Sequence, residues 1–310
     1  MKGRFLNPYT DFGFKKLFGE EASKPLLIDF LNSMLPTHHQ IAQLNFKNNE
    51  QLGINDDDRK AVYDIYCESI TGEKFIVELQ RVKQRYFKER TLFYTTFPIR
   101  EQTQKGNGWN YKLEAIYCIS ILDFTFDDTD KTLEESREVV HTVQLKNQNN
   151  RVFYDKLTFI YLEMPNFNKK EHELKTQLDK WLFFIKNLEE LQNIPLIFKD
   201  SIVFHDAFIR AEVANLNDAD HYNYMHSLKN YWDFMSAIDT YVAEGKKIGL
   251  EEGKIIGIEL GIEQGKQLGI EQGEKQAKRL IITNLKTNGM NDEQIRQILS
   301  STIDEWKELS

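Results

Sequence analysis

The chain has 310 residues and a formal net charge of −8 at pH 7, with 41% hydrophobic and 28% charged residues. This composition supports at least one sizeable core and excludes a disordered chain, while the acidic balance argues against a protein that simply coats nucleic acid, because neutralising phosphates requires clustered Lys and Arg. No apolar run approaches the roughly 18 residues needed to cross a bilayer and the N-terminus lacks the apolar core of a secretory signal, so a cytoplasmic protein without membrane contact is expected.

The first predicted elements are two helices and a β-hairpin. Residues 11–35 have helical apolar spacing, with Pro25 at the start of the second helix. Residues 61–70 and 74–80 are rich in β-forming residues, which predicts two antiparallel strands joined by a three-residue loop at residues 71–73. The only two cysteines, Cys67 and Cys118, lie in apolar strand-like runs and are expected to be buried thiols.

A basic segment follows the second strand directly. Residues 81–90 carry five basic side chains against one acid, Glu89, and residues 81–104 have the length and spacing of a helix. Such a strip is often only a solvated helix face, and the alternative is a surface that contacts DNA phosphates. The candidate DNA-binding residues are Arg81, Lys83, Arg85, Lys88 and Arg90.

Three more strands are predicted after the basic segment. They cover residues 111–124, 137–145 and 155–164, and the first is apolar throughout its centre, as in strands buried on both faces. The order of helices, hairpin, helix and strands predicts an α/β domain with a mixed sheet over residues 1–165. Residues 166–242 are predicted as a helical region.

A glycine repeat follows, with a glycine at every fourth position from Gly245 to Gly273, eight in all. Each glycine costs about 0.5–1 kcal/mol relative to Ala inside a helix, so a helix here needs a compensating contact. Two interpretations of residues 243–273 stay open. One is a long helix that pairs with another copy of the chain to form a homo-oligomer, and the other is a flexible linker.

Residues 274–310 predict a small C-terminal helical module. A turn is expected at Asn288 and Gly289, followed by a helix capped at Asn291, with Gln294 three residues later completing a capping box. The outline is that of a helix-turn-helix, but the second helix offers only Arg296 to a DNA groove. An assembly module is therefore favoured.

Two carboxylates interrupt the otherwise apolar strands of the hairpin, Asp64 in the first and Glu78 in the second. A carboxylate in such surroundings costs free energy unless a cation meets it. A loop at residues 71–73 places Asp64 opposite Gln80, with Glu78 diagonal to it and all three on one face. Two carboxylates and a nearby carbonyl, that of Leu79, suit Mg²⁺ or Mn²⁺, and the alternative is pairing with basic residues within the sheet.

These motifs resemble a known family when they are taken in order. Asp64, thirteen residues, and then Glu78-Leu79-Gln80 on consecutive strands resemble the PD-(D/E)xK nuclease core. The opening TDFGFKKLFGEE, the ExQ form, the helix at residues 90–94 and the glycine repeat are similar to the Rpn family of recombination-promoting nucleases, also described as PD-(D/E)xK nuclease-family transposases. The resemblance implies a restriction-endonuclease-like core and a metal-dependent DNA endonuclease linked to recombination or mobile elements.

The resemblance also implies roles for individual residues. Asp11 matches the position of a further acidic residue in related enzymes. Gln80 stands where the wider superfamily has lysine, and a glutamine can orient a water but cannot take up its proton. Lys83 is a candidate substitute for that lysine. The candidate catalytic residues are Asp64, Glu78, Gln80, Lys83 and Asp11, and the candidate metal ligands are Asp64, Glu78 and the carbonyl of Leu79.

Two functional hypotheses follow from different classes. The first is a Mg²⁺-dependent endonuclease that hydrolyses DNA phosphodiester bonds. The second is a nuclease-like fold without activity that serves as an assembly or regulatory module, which the acidic net charge and Gln80 favour. Strand transfer of the transposase kind is a third possibility, but the sequence offers no full set of three carboxylates in a ribonuclease H order.

Overall fold

The computed structural model describes residues 3–51, 60–103, 110–126, 132 and 134–299. Within them the α-helices are α1 Asp11–Phe18, α2 Lys24–Asn32, α3 Phe87–Glu101, α4 Gln177–Asn187, α5 Ile202–Ala211, α6 Asp218–Thr287 and α7 Asp292–Ile298. The strands are β1 Leu44–Phe46, β2 Glu50–Gln51, β3 Ala61–Val62, β4 Ile65–Ser69, β5 Lys74–Gln80, β6 Ile116–Leu122, β7 Val140–Lys146 and β8 Val152–Glu163.

Six strands form one mixed sheet in the order β1-β4-β5-β6-β8-β7. Strands β4 and β5 are the predicted antiparallel hairpin, β5, β6 and β8 run parallel, and β7 pairs antiparallel with β8 at the edge. Helix α3 forms the crossover from β5 to β6, as a connection between parallel neighbours requires. The predicted α/β fold with a mixed sheet is confirmed.

Side chains of the central strands alternate between two cores, because successive residues of a strand point to opposite faces. Val77 belongs to the larger core, which includes residues of α1, α2, α4 and α5 and contains the fully buried Trp181. Ile76 and Cys118 belong to the opposite core, beside Phe97 of α3. Glu78 and Gln80 follow Ile76 by two and four residues, so their side chains point to the same face as that of Ile76. The candidate site therefore lies on the α3 face of the sheet.

The opening motif folds as the start of α1. The Thr10 hydroxyl accepts a hydrogen bond from the Gly13 amide at 3.0 Å and caps the helix. A Cβ at Gly13 would lie 2.2 Å from the carbonyl oxygen of Asn7, so this close approach requires glycine. The cap fixes where the helix begins and thereby places Asp11 in its first turn, with Lys15 one turn further on.

The hairpin loop lies one residue earlier in the chain than predicted, and this changes the pairing of the two strands. The loop occupies residues 70–72, and Ile65 pairs with Val77, so the ladder brings Asp64 opposite Glu78 and not opposite Gln80. The predicted loop length and the shared face were right, but the placement of the loop was wrong. Gly72 has a φ of 99°, and three-residue hairpin loops place such a left-handed residue at their last position.

The basic segment and the hairpin strands also have different bounds from those predicted. Helix α3 begins at Phe87, so the residues from Arg81 to Tyr86 precede it, and the prediction of a helix from residue 81 was wrong. The first hairpin strand is interrupted at Tyr63 and Asp64, between β3 and β4. Both cysteines are buried free thiols, as predicted.

The chain divides into two compact units, Met1–Asp233 and Phe234–Ser310. Helix α6 is continuous from Asp218 to Thr287 and contains the whole glycine repeat, which is helical in this structure. The division into segments 1–165, 166–242, 243–273 and 274–310 stays a prediction. None of the helices in the described part of the chain is both long enough and apolar enough to span a bilayer.

The described part of the C-terminal module has the predicted cap. Gly289 follows α6 with a φ of 87°, and the Asn291 side chain then accepts a hydrogen bond from the Gln294 amide at 3.0 Å. The Gln294 side chain accepts one from the Asn291 amide at 3.2 Å, which completes the capping box before α7. The predicted final helix lies outside the described residues.

Candidate active site

Asp64 and Glu78 lie side by side at the end of the hairpin. The Asp64 amide donates a hydrogen bond to Oε1 of Glu78 at 3.3 Å, and the Leu79 amide donates one to Oδ2 of Asp64 at 2.7 Å. Glu78 is only 5% exposed, and Asp64 is half-buried. The interruption between β3 and β4 frees Asp64 from the strand ladder, so its carboxylate can turn towards β5.

The backbone at Leu79 adds a third oxygen donor on the same side. The carbonyl of Gln80 accepts a hydrogen bond from the Asp123 amide at 3.0 Å and therefore faces β6. Its neighbour Leu79 faces the opposite way, because successive residues of a strand point their backbone groups to opposite sides. Since the N–H and C=O of one residue point the same way, and the Leu79 amide binds Asp64, the Leu79 carbonyl also faces Asp64.

Electrostatics at the carboxylate pair favour the binding of a cation. Burial raises the pKa of Glu78 well above its usual range and the neighbouring Asp64 carboxylate raises it further, whereas the Arg90 guanidinium opposes the shift. Burial also raises the pKa of Asp64, and Asp11 adds to that effect, while Lys15 and Arg90 lower it. Two neighbouring acids that are shielded from water and repel each other hold protons at unusually high pH unless a positive charge lies between them.

Gln80 holds Arg90 beside this pair. The Gln80 Oε1 accepts a hydrogen bond from Nη2 of Arg90 at 2.6 Å, and its Nε2 donates to the Val82 carbonyl at 2.7 Å. The same guanidinium donates from Nη1 to Oε1 of Gln84 at 2.5 Å and lies 3.9 Å from Oε2 of Glu78. A lysine at position 80 would bring a second cation against Arg90, so the glutamine is matched to an arginine that already supplies the positive charge.

Asn49 positions Asp64 from outside the hairpin. Its Nδ2 donates a hydrogen bond to the Asp64 carbonyl at 2.9 Å, and its Oδ1 accepts one from the Tyr66 amide at 3.1 Å. These two bonds fix the backbone on both sides of Ile65, where the strand resumes. Sequence reasoning missed this residue, because an asparagine in a polar connection carries no local signal of such a contact.

Helix α1 contributes a second pair of charges near the site. Lys15 Nζ lies 2.7 Å from Oδ1 of Asp11, and both side chains line a pocket of about 430 Å³ together with Lys16, Arg81 and residues from the start of α6. Asp11 was predicted from the resemblance, whereas Lys15 was missed. Its signal was the spacing of one helical turn from Asp11.

The five residues of the predicted basic strip do not share one helix face. The Arg81 guanidinium lies 5.5 Å from the centre of the Tyr231 ring and lines the pocket with α1, while Lys88 Nζ lies 4.6 Å from the centre of the Phe126 ring. Lys83 and Arg85 are exposed in the segment before α3. Arg90 faces the carboxylate pair, so the strip divides among three places around the site.

The donor set suits a metal ion that keeps several water ligands. Among the described residues, no three His, Cys, Asp or Glu side chains converge as a possible metal-binding group. Asp64 and Glu78 are therefore a two-carboxylate set, which the Leu79 carbonyl extends. Mg²⁺ is usually bound through one or two carboxylates, with water and substrate phosphate completing its octahedral shell, so these residues fit that ion.

Comparison with known proteins identifies the family. The sequence model described as PD-(D/E)XK nuclease family transposase matches residues 8–241. The chain belongs to this family. The match includes α1, the hairpin with Asp64 and Glu78, α3 and the remaining strands, which confirms the family resemblance inferred from the motifs. No curated protein and no solved structure matches the chain.

Proposed function

We propose that this protein is a divalent-metal-dependent DNA endonuclease, in which Asp64, Glu78 and the Leu79 carbonyl hold Mg²⁺ or Mn²⁺. The observation that carries the proposal is the hydrogen bond from the Asp64 amide to the Glu78 carboxylate, which sets two acids with raised pKa side by side at the end of the hairpin. Because the chain belongs to a nuclease family, we infer that this pair serves the hydrolysis of a phosphodiester bond. By the same family link, we place its biological role in recombination or in mobile elements.

The residues around the pair have distinct tasks in this proposal. A bound divalent ion would polarise the phosphodiester and lower the pKa of an attacking water. Asp64 and Glu78 bind the ion, and the Leu79 amide and Asn49 hold Asp64 in place. Arg90 balances the charge of Glu78 and is oriented by Gln80, which itself cannot take up a proton at neutral pH.

Contacts with the DNA backbone are proposed for basic residues on both sides of the site. Lys15 and Arg81 line the pocket next to α1, and Lys83, Arg85 and Lys88 follow the hairpin on the other side. Phosphate contacts of this kind supply affinity without reading sequence, and they overcome the acidic net charge only locally. We therefore expect DNA binding that weakens steeply with salt.

Supercoiled plasmid tests the proposed activity against the inactive alternative. The purified protein is incubated with plasmid and Mg²⁺ or Mn²⁺, in parallel with a chelator, and nicked and linear products are followed on a gel. Metal-dependent nicking that scales with protein concentration supports the endonuclease. A well-folded protein that cuts nothing with either metal would favour an assembly or regulatory module instead.

Replacement of Arg90 should shift the pH dependence of cleavage. Because the Arg90 guanidinium lowers the pKa of both Asp64 and Glu78, Arg90→Ala should require a higher pH before both acids ionise and bind metal. We expect the acidic limb of the pH–rate profile to move to higher pH and the rate at neutral pH to fall roughly 10- to 100-fold, as for other groups that support metal ligands. Arg100→Ala, on the same helix, is the matched control and should leave the profile unchanged.

We also propose that the glycine-repeat helix pairs with a second copy of the chain. Apart from the nearby backbone of the helix itself, no atom of the described residues would lie within 4 Å of a Cβ added at any glycine from Gly245 to Gly273. The space beside these glycines is therefore open. Aliphatic side chains between the glycines are exposed along the helix, among them Ile248, Ile256, Leu260 and Ile270. Small residues at a spacing of four allow two helices to approach closely enough to bury such side chains.

Three alanines distinguish pairing from a solitary helix. Gly257, Gly261 and Gly265 are changed together to Ala, which should stabilise an unpaired helix by about 0.5–1 kcal/mol for each residue. If the helices pair through these glycines, sedimentation velocity should show weaker association of the variant despite its stronger helix. A wild-type protein that stays monomeric, or a variant that associates as tightly, would exclude this interface.

A cytoplasmic location is proposed on the basis of the sequence. The two cysteines are free and buried, which suits a reducing compartment, and DNA is the proposed substrate. Fractionation of cells that express the tagged protein measures the location directly.

A further inference from the structure

A second pocket lies at the start of α3 and shares Arg90 with the candidate active site. Its volume is about 430 Å³, within the range of sites that bind small organic groups. It is lined by Gln84, Arg85, Tyr86, Glu89, Arg90 and Phe93. Arg90 connects the pocket to the site, because the guanidinium that lines the pocket also contacts Gln80 and lies 3.9 Å from Glu78.

Flat groups dominate the lining of this pocket. Tyr86 is 61% exposed and Phe93 is 40% exposed, so both rings are accessible to a ligand in the pocket. The Arg85 guanidinium lies 5.3 Å from the centre of the Tyr86 ring and adds a second planar surface. Aromatic rings and guanidinium planes are the groups on which proteins stack unpaired nucleobases.

The innermost polar groups of the pocket suit the edge of a base. Glu89 contributes a carboxylate, which would repel a phosphate but can accept a hydrogen bond from the exocyclic amino group of a base. Arg90, the innermost cation, already donates to Gln80 and Gln84. A neutral, planar group with hydrogen-bonding edges fits this combination best.

We propose that this pocket binds an unpaired nucleobase of the DNA substrate, so that the enzyme prefers single-stranded or locally unpaired DNA to a regular duplex. A base inside a duplex has both faces covered by its neighbours, so it can stack on Tyr86 only after it leaves the helix. The side chain of Arg90 bridges the pocket and Glu78, which places the bound base next to the phosphodiester that is cut. This inference rests on the proposed endonuclease site and defines its substrate class.

DNA binding in the presence of a chelator tests the inference without cleavage. Fluorescence anisotropy is measured with a labelled single-stranded oligonucleotide and with the same strand in a blunt duplex. Tyr86→Ala and Phe93→Ala should each weaken binding of the single strand about tenfold, within the range found for stacked bases, and should leave duplex binding unchanged. Tyr86→Phe keeps the ring and should bind as the wild type does.

Phe153→Ala is the matched control for a general loss of exposed aromatic surface. Phe153 is 80% exposed on β8, and its removal should not change binding of either DNA. Equal losses for single strand and duplex, or an unchanged affinity of Tyr86→Ala for the single strand, would overturn the inference. If the wild type cuts no DNA but the binding pattern holds, the proposed activity fails and the base-binding pocket stands.

Discussion

Asp64→Asn and Glu78→Gln should each reduce metal-dependent cleavage of DNA by about 10³-fold or more, because each removes one of two charged ligands from an ion that contributes several kcal/mol to the transition state. Both replacements keep the shape of the side chain, and the side-chain carbonyl of the introduced asparagine can still accept the hydrogen bond from the Leu79 amide. The loss should therefore be one of metal binding and not of folding. Initial rates of plasmid nicking measure it.

Glu68→Gln is the control for these variants. Glu68 lies on β4 with the same parity as Asp64 and is 29% exposed, but its carboxylate binds Lys47 and Lys74. That pairing is the role that the carboxylates of the hairpin would have if they were merely structural. Glu68→Gln should keep most of the wild-type rate. If Glu68→Gln were as slow as Asp64→Asn, or if Asp64→Asn cut DNA as fast as the wild type, the carboxylate pair would have no special role in cleavage.

Glu78→Gln should also stabilise the metal-free protein at neutral pH. Burial raises the pKa of Glu78, so between the usual glutamate pKa and the raised value the folded state holds a proton that the unfolded chain releases. The free energy of unfolding of the wild type must then fall as pH rises through that window. Glutamine stays neutral and avoids the loss. In chelator, the variant should have the higher melting temperature above that window, and the difference should disappear below the usual glutamate pKa.

Addition of metal should reverse the order of the two proteins. An ion that binds only the folded state at 100 times its dissociation constant stabilises it by about 2.7 kcal/mol, which raises the melting temperature by several degrees. The wild type should show this shift with Mg²⁺, and Glu78→Gln should show little of it. Equal shifts in both proteins, or a variant less stable than the wild type at every pH in chelator, would contradict the assignment of Glu78.

The carboxylate pair could be predicted from sequence because its signal is local. An acid within an apolar strand is costly at any position, so Asp64 and Glu78 stand out before any fold is known. Their exact pairing could not be predicted in the same way. A loop at residues 70–72 and a loop at residues 71–73 both put Asp64 and Glu78 on the same face of the hairpin. Only the left-handed conformation of Gly72 selects the first, which sets Asp64 opposite Glu78.

The supporting residues could not be predicted, because their roles depend on contacts between distant parts of the chain. Asn49 donates a hydrogen bond to the Asp64 carbonyl, and Lys15 on α1 lowers the pKa of Asp64. Charge alone identified the basic segment, but it could not show that α3 begins only at Phe87 or that Arg90 contacts Gln80 and Glu78. Gln80 looked like a lost lysine in the sequence, whereas its contact with Arg90 gives it a partner.

The most direct test of the metal site is an anomalous-scattering map from crystals of the full chain grown with Mn²⁺. We expect a peak about 2.1 Å from a carboxylate oxygen of Asp64, one of Glu78 and the Leu79 carbonyl oxygen. We also expect the peak to be lost in Glu78→Gln. A well-ordered site without such a peak, or Mn²⁺ bound only elsewhere, would contradict the proposal that this pair holds the catalytic ion.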